Sequence, residues 1–298
     1  MTGGGTREEV TIVGGGPAGM AAAIQLRRHG IDGLLVERRA LGGLLWNANR
    51  VENYPGFPGG IPGPDLVSLF ERQVHEAGCR VAFEELRSLG REDGVFTLET
   101  GKRRFSSDVV VVATGTYPRR FRPCEGVQSD RILYEVCPLL DTRGAAVAII
   151  GAGDAAFDYA LTLAERNRVM ILNRGTRTRC LRLLFERAGN NTAINYRERT
   201  VVSRVREDPN GGLVLEGEGG GGTFEMHVDY LLCAVGREPR RVLLSSFSEQ
   251  EREALHEAGR LYTIGDAKNK NLRQVGISVG DGVRTAMSIA EQLGGSRP

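Results

Sequence analysis

Apolar residues in this chain come in two rhythms. Short, nearly unbroken runs at residues 10–13, 34–36, 109–113, 146–150, 169–172 and 230–235 predict strands of a parallel sheet buried on both faces. Residues 17–28 instead place Ala21, Ala22, Ala23, Ile24 and Leu26 on one packing side and predict a helix that stops at Gly30. Parallel strands need such a crossover, so residues 10–37 predict a βαβ unit. The pattern then repeats, with a strand at 146–150, a helix over 154–166 and a strand at 169–172. A further helix is predicted over 64–77 and a last one over 281–293, while residues 40–64, rich in Gly, Pro and Asn, predict irregular chain. Residues 80–106 predict a small antiparallel piece turning at Gly94 and Gly101. Gly219 to Gly222 predict a hairpin loop with arms at 213–215 and 224–228. The second unit begins near residue 118, so the expected class is α/β, one βαβ domain with a second inserted into it.

A length of 298 residues is enough for two domains with proper cores. A net charge of +2 without a dense basic block among aromatics predicts no nucleic-acid partner. Arg38-Arg39, Arg103 and Arg119-Arg120 read as solvated surface. No run approaches the ~20 apolar residues of a membrane helix, and the start Met1-Thr2-Gly3-Gly4-Gly5-Thr6 lacks the pattern of a secretory leader. Five cysteines, Cys79, Cys124, Cys137, Cys180 and Cys233, form neither a CxxC pair nor a metal-ligand spacing. An odd, scattered set fits a reducing compartment, so a cytoplasmic protein without a metal site is expected. His29, His75, His227 and His256 stand outside every motif.

Two glycine fingerprints carry the chemistry, each entered from an apolar run. The first is Gly14-Gly15-Gly16-Pro17-Ala18-Gly19. Gly14 suits the tight turn, Gly16 lets the backbone approach a pyrophosphate, and Gly19 lets helix and strand pack closely. The helix N-terminus adds its N–H groups and dipole. Glu37 ends the next strand 23 residues after Gly14, where a carboxylate takes ribose hydroxyls. The second fingerprint is Gly151-Ala152-Gly153-Asp154-Ala155-Ala156, with alanine as its third small residue. The strand after it ends in Leu172-Asn173-Arg174, with Arg177 and Arg179 close by and no acid at the ribose position. Guanidinium groups there suit a 2′-phosphate, hence NADPH, and surface arginines beside an NADH site are the alternative.

Further segments resemble one family, the thioredoxin-reductase-like branch of the FAD/NAD(P) two-dinucleotide flavoproteins, over residues 9–293. Gly42-Gly43-Leu44-Leu45 followed by Val51-Glu52-Asn53-Tyr54-Pro55-Gly56 resembles its flavin-side segment. Ala113-Thr114-Gly115 and Ala234-Val235-Gly236-Arg237-Glu238-Pro239 resemble its two crossovers, Gly265-Asp266 its GD motif, and Arg273-Gln274-Val275 its RQA segment. The resemblance implies two Rossmann-like domains of three-layer ββα build, an FAD domain at 1–117 and 243–298 and an NAD(P)H domain at 118–242 inserted into it. It implies FAD at Gly14, Gly16, Pro17, Ala18, Gly19, Glu37, Gly43, Leu44, Asn53, Thr114, Gly115, Gly265, Asp266, Arg273, Gln274 and Val275. Asp266 would anchor the ribityl chain, and Trp46 and Tyr54 would flank the flavin-side loop, where core packing is their alternative role. NADPH or NADH would occupy Gly151, Gly153, Asp154, Ala155, Asp158, Arg174, Arg179 and Gly236. Gly175 replaces the arginine between Arg174 and Arg179 in the family's phosphate clamp.

The redox centre departs from the family. Where the family carries CxxCD, this chain reads Tyr134-Glu135-Val136-Cys137-Pro138, so Cys137 falls on the second, flavin-proximal cysteine and no first one is present. A dithiol cycle needs an attacking and a resolving thiol. The expectation is therefore a flavin-dependent NAD(P)H oxidoreductase that passes electrons to an external acceptor, a protein or a small molecule, and not by a thioredoxin reductase's dithiol route. Alternatives are a donor to a ferredoxin-like carrier or to a dedicated partner such as a sulfur-insertion enzyme of lipoate assembly, a monothiol reductase or oxidase working through Cys137, and a flavin-binding scaffold without turnover. The ferredoxin–NADP reductases of this branch extend past the last helix, which counts against that identity for a sequence ending at Pro298. Cys137 is either a flavin-side catalytic thiol or a packing remnant. A homodimer is expected from the resemblance alone.

Overall fold

A computed structural model describes residues 6–294; the glycine-rich start and the last four residues, 295–298, lie outside them. The chain divides into two compact units. One comprises residues 1–46, 50–117 and 238–298, the other residues 47–49 and 118–237.

The first unit is organised on Arg104–Val112, a nine-residue strand with three neighbours. Arg7–Val13 runs parallel along one edge. The other edge is shared, antiparallel Val95–Thr100 taking its beginning and parallel Leu261–Thr263 its end. Outward from Arg7–Val13 lie Leu34–Glu37 and then Arg80–Phe83, both parallel. Side chains alternate across this sheet, as the two-residue period of a strand requires. Val109, Val111 and Ala113 face the helices, while Val110 and Val112 face the layer of Leu89, Phe96, Leu98 and Phe247.

Three of the expected elements are corrected. Arg80–Phe83 belongs to the parallel sheet and not to the antiparallel piece, which starts at Leu86–Glu92. The final helix spans Val275–Gln292, starting well before residue 281. Its first turns carry Gly276 and Gly280, which dilute the apolar periodicity that sequence reading depends on. Helix 154–166 is shorter than expected and ends at Leu163.

The second unit repeats the plan. Its parallel sheet runs Ile194–Arg197, Arg168–Leu172, Ala146–Ile150, Tyr230–Cys233 and Ile132–Leu133. Val147, Ile149 and Leu232 face the helices Asp154–Leu163 and Arg182–Gly189. Ala148, Leu231 and Cys233 face a three-stranded antiparallel layer of Val201–Glu207, Leu213–Gly219 and Gly222–Val228. Helices, parallel sheet and antiparallel layer make the three-layer build, and the hairpin arms are longer than the sequence pattern suggested.

Close packing in the first unit hinges on Gly282 of the last helix. A Cβ built there would run into the carbonyl oxygen of Ala18, so the helix Val275–Gln292 lies directly on Pro17–Arg28. Alanine is favoured over glycine in a helix interior by about 1 kcal/mol, yet overpacking costs about 1–3 kcal/mol. Gly282→Ala is therefore expected to lower the thermal unfolding midpoint in differential scanning calorimetry; a raised midpoint would show that the two helices separate freely.

Candidate cofactor sites

Both fingerprints are built by one geometric device, used twice. Gly14 and Gly151 adopt φ of 111° and 132°, a region that favours glycine. A Cβ on Gly14 would strike the carbonyl of Ala113, and one on Gly151 the carbonyl of Ala234. Those two alanines donate N–H to Val13 and Ile150, each at 2.8 Å. Gly14 N–H in turn donates to Val36 at 2.8 Å, and Gly151 N–H to Leu172 at 3.1 Å. Each turn is thus pinned between the end of its own strand and the two strands beside it. Each then opens into a helix whose N-cap, Gly16 or Gly153, makes no side-chain capping bond. No atom lies within 4 Å of the Cβ position on either glycine. Two helix N-termini with free donors and no side chain in front fit a pyrophosphate.

Around the first turn, segments remote in sequence converge. Gly42 N–H donates to Gly15 at 2.8 Å, and the Cβ position of Gly43 lies 3.2 Å from the Gly16 Cα. Gly43–Asn47 forms a 3-10 turn that holds Leu44 there, and Trp46 Nε1 donates to Leu41 O at 2.7 Å. The Glu37 carboxylate accepts from Gly15 N–H at 2.7 Å and from Arg39 N–H at 3.1 Å, so it is held at the mouth of the turn. Gly265 lies so close to Ala18 that a Cβ would be 2.8 Å from the alanine methyl. Asp266 follows in the same 3-10 turn and accepts a long bond from Ser278 Oγ at 3.4 Å. Asn53 Nδ2 donates to Gln274 Oε1 at 2.7 Å, which joins the flavin-side segment to Arg273-Gln274-Val275 at the start of the last helix. Thr114 Oγ1 donates to Arg240 O at 2.5 Å, and Arg240 N–H to Gly115 O at 2.9 Å. The packing role of Tyr54 is visible in its edge contact with Phe70 at 5.9 Å between centroids.

Sequence reading missed Asp281. It is buried in the last helix, accepts from Gly265 N–H at 3.1 Å and from Asn269 Nδ2 at 2.5 Å, and so props the turn that carries Asp266. A carboxylate inside a helical stretch, with no strand or glycine motif next to it, gave no signal of that role.

Around the second turn, Asn173 stands where Glu37 stands in the first, one residue past the carbonyl that pins the glycine. It is buried and wholly engaged, donating to Arg177 O and Tyr196 Oη and accepting from Gly175 N–H. Those bonds shape the loop 174–179. The loop returns to the fingerprint, where Arg179 N–H donates to Ala152 O at 2.8 Å and Arg179 bridges Gly153. Arg174, Arg177 and Arg179 are exposed, and none forms an ion pair among the described residues. Asp154 turns away to accept from Leu181 N–H at 2.7 Å, leaving Ala155 exposed on the first turn of the helix. Asp158 accepts from Asn49 N–H at 3.0 Å. Gly236, with φ of 105°, accepts from Arg119 N–H at 3.0 Å.

Cys137 starts a 3-10 turn and its N–H donates to Asn47 Oδ1 at 3.0 Å. Burial, and next the charge of Glu135, push its thiol pKa above the ordinary value. Glu135 pairs with Arg237 at 3.1 Å. At the place of the family's first cysteine, the Tyr134 hydroxyl accepts from Phe121 N–H at 3.1 Å. Groups of acidic, histidine and cysteine side chains able to hold a metal are absent among the described residues. No helix among them is long and apolar enough to cross a membrane.

The family model for pyridine nucleotide-disulphide oxidoreductases matches residues 8–279. A thioredoxin reductase of Treponema pallidum is 29% identical over 301 residues, covering 97% of this chain and 98% of the relative. NADPH-dependent thioredoxin reductase 3 of Arabidopsis thaliana is 30% identical over 316 residues, and the match spans 98% of this chain and 59% of the plant protein. A crystal structure of Lactococcus lactis thioredoxin reductase shares the fold with a TM-score of 0.84 at 24% identity, covering 95% of this chain and 98% of that one. The paired cradles fit the two nucleotides that this family uses, and the family match supports an oxidoreductase over a non-catalytic scaffold. The chain belongs to the pyridine nucleotide-disulphide oxidoreductase family and is a thioredoxin reductase-like, FAD-dependent NAD(P)H oxidoreductase.

Proposed function

We propose that this chain moves electrons from NADPH to an acceptor outside itself without an internal dithiol. The observation that carries the proposal is the Tyr134–Cys137 stretch. One thiol stands where the family has two, and its surroundings raise its pKa when a nucleophile needs the reverse. This favours the packing remnant over the monothiol reading.

The chain's own residues supply position and charge. Gly14, Gly16, Pro17, Ala18 and Gly19 would hold the FAD pyrophosphate at the helix start, with Glu37 on the ribose. Thr114, Gly115, Gly265 and Asp266 would hold the rest of its chain, and Gly43, Leu44, Asn53, Arg273, Gln274 and Val275 would flank the ring. FAD, when bound, supplies the capacity to take hydride from a nicotinamide and release electrons onward. Gly151, Gly153, Ala155 and Gly236 would frame the nicotinamide nucleotide, with Asp154 and Asp158 bracing that frame through Leu181 and Asn49. Arg174 and Arg179 would grip a 2′-phosphate, and the neutral Asn173 removes the repulsion that an acid at that place would set against it. The acceptor is a protein or a small molecule; a dedicated redox partner, including a ferredoxin-like carrier or an enzyme of lipoate assembly, falls within the reading.

Purified protein is expected to be yellow, and anaerobic NADPH to bleach it. Turnover should then appear with ferricyanide and be absent with thioredoxin or an aromatic disulfide. Cys137→Ser should leave both bleaching and ferricyanide turnover unchanged. NADPH-driven disulfide reduction that disappears in Cys137→Ser would overturn the proposal in favour of the monothiol route. Arg179→Ala should raise KM for NADPH about tenfold, the equivalent of one charge-assisted hydrogen bond of roughly 1.5 kcal/mol, with kcat and the KM for NADH unchanged. Equal losses with both nucleotides would remove the 2′-phosphate role.

A further inference from the structure

Two cysteines far apart in sequence meet inside the second unit. Cys124 closes the 3-10 turn Arg122–Cys124, near the start of the segment 118–237. Cys233 closes the strand Tyr230–Cys233, near its end. Because side chains alternate along that strand, Leu231 and Cys233 point to the face covered by Val202, Val205 and Leu213. Cys124 packs into the same cluster. There the two residues pack beside one another, and both thiols are free. Tyr134 lies beside both.

We propose that Cys124 and Cys233 form a peroxide-oxidisable dithiol whose disulfide ties the beginning of the second unit to its end. The two cysteines differ in burial and in thiol acidity. Cys124 is 8% exposed and Cys233 2%. The residues on either side of Cys124, Pro123 and Glu125, line an open groove of about 410 Å³ shared with Arg204, Val205, Arg206 and Glu207. Cys124 is thus the less buried of the pair and lies next to that groove in the chain. The neighbouring Cys233 lowers the Cys124 thiol from its ordinary pKa, while Cys124 and burial raise that of Cys233.

The chemistry balances with hydrogen peroxide as oxidant. The Cys124 sulfur attacks one oxygen, the O–O bond breaks, and water leaves with the thiol proton, giving a sulfenic acid. The Cys233 sulfur then attacks that sulfur, the S–O bond breaks, and the hydroxyl leaves as a second water with the Cys233 proton. Two thiols are oxidised to one disulfide and one peroxide is reduced to two waters. Cys137 takes no part.

The test is peptide mapping of the full chain, loaded with FAD, after treatment with hydrogen peroxide. The expected product is a cross-linked peptide pair joining Cys124 and Cys233, two hydrogens lighter than the separate peptides and released by dithiothreitol. Cys124→Ala and Cys233→Ala should each abolish it, and Cys137→Ser should not. The mapping on the unaltered protein decides the matter even if either alanine variant fails to fold. Cys124 recovered as a sulfinic acid, both thiols recovered unmodified, or a cross-link to another cysteine would each overturn the proposal.

Discussion

Everything in the two cofactor sites depends on a glycine turn lying against the carbonyl oxygen of the strand next to it. At Gly14 the oxygen belongs to Ala113, at Gly151 to Ala234, and in neither place is there room for a methyl group. That contact fixes where each helix begins. It aims the first free N–H groups of the helix past the carboxyl ends of the strands, the place where open α/β sheets receive ligands. The two sites share hydrogen bonds to the preceding and following strands, so they are one solution arrived at twice within a single chain.

Their differences begin one residue beyond the shared frame. Glu37 presents a carboxylate at the first turn, held by two backbone N–H groups. Asn173 at the second presents none, and spends its amide on the backbone and on Tyr196. In place of an acid, the amide shapes an adjoining loop that carries exposed guanidinium groups. Under the proposed function, selectivity between two nucleotides would rest on a buried side chain that shapes a loop as much as on the arginines displayed by it.

The frame was legible in the sequence because it consists of features that are local. An apolar run, a glycine turn and a small-residue helix each occupy a few consecutive positions, so the strands of both βαβ units and the residues of both turns could be read directly. What escaped reading is long-range. Arg80–Phe83 reads like the strands that follow it, and only its pairing with Leu34–Glu37 places it in the parallel sheet. The start of the last helix was obscured by Gly276 and Gly280, and the role of Asp281 by the absence of any motif around it. One local signal was passed over: Ser248 and Glu251 form a capping box that opens the helix Glu249–Glu257, and their spacing is visible in the sequence. The encounter of Cys124 with Cys233 could not have been foreseen, since it needs the register of a strand more than a hundred residues on.

Topology also sets an order of assembly. The unit built on residues 118–237 has nearly all its strands in one unbroken stretch, so during synthesis it can close while the chain is still being made. The other unit cannot. Its central strand, Arg104–Val112, is translated early but lacks one of its parallel neighbours until Leu261–Thr263 emerges, and Pro17–Arg28 lacks the helix that covers it until Val275–Gln292 does. A strand whose Val110, Val111 and Val112 end up fully buried must therefore wait, partly uncovered, through the translation of an entire intervening domain. For the nascent protein, that interval is the period in which this strand is open to chaperones or to mispairing with a second nascent chain.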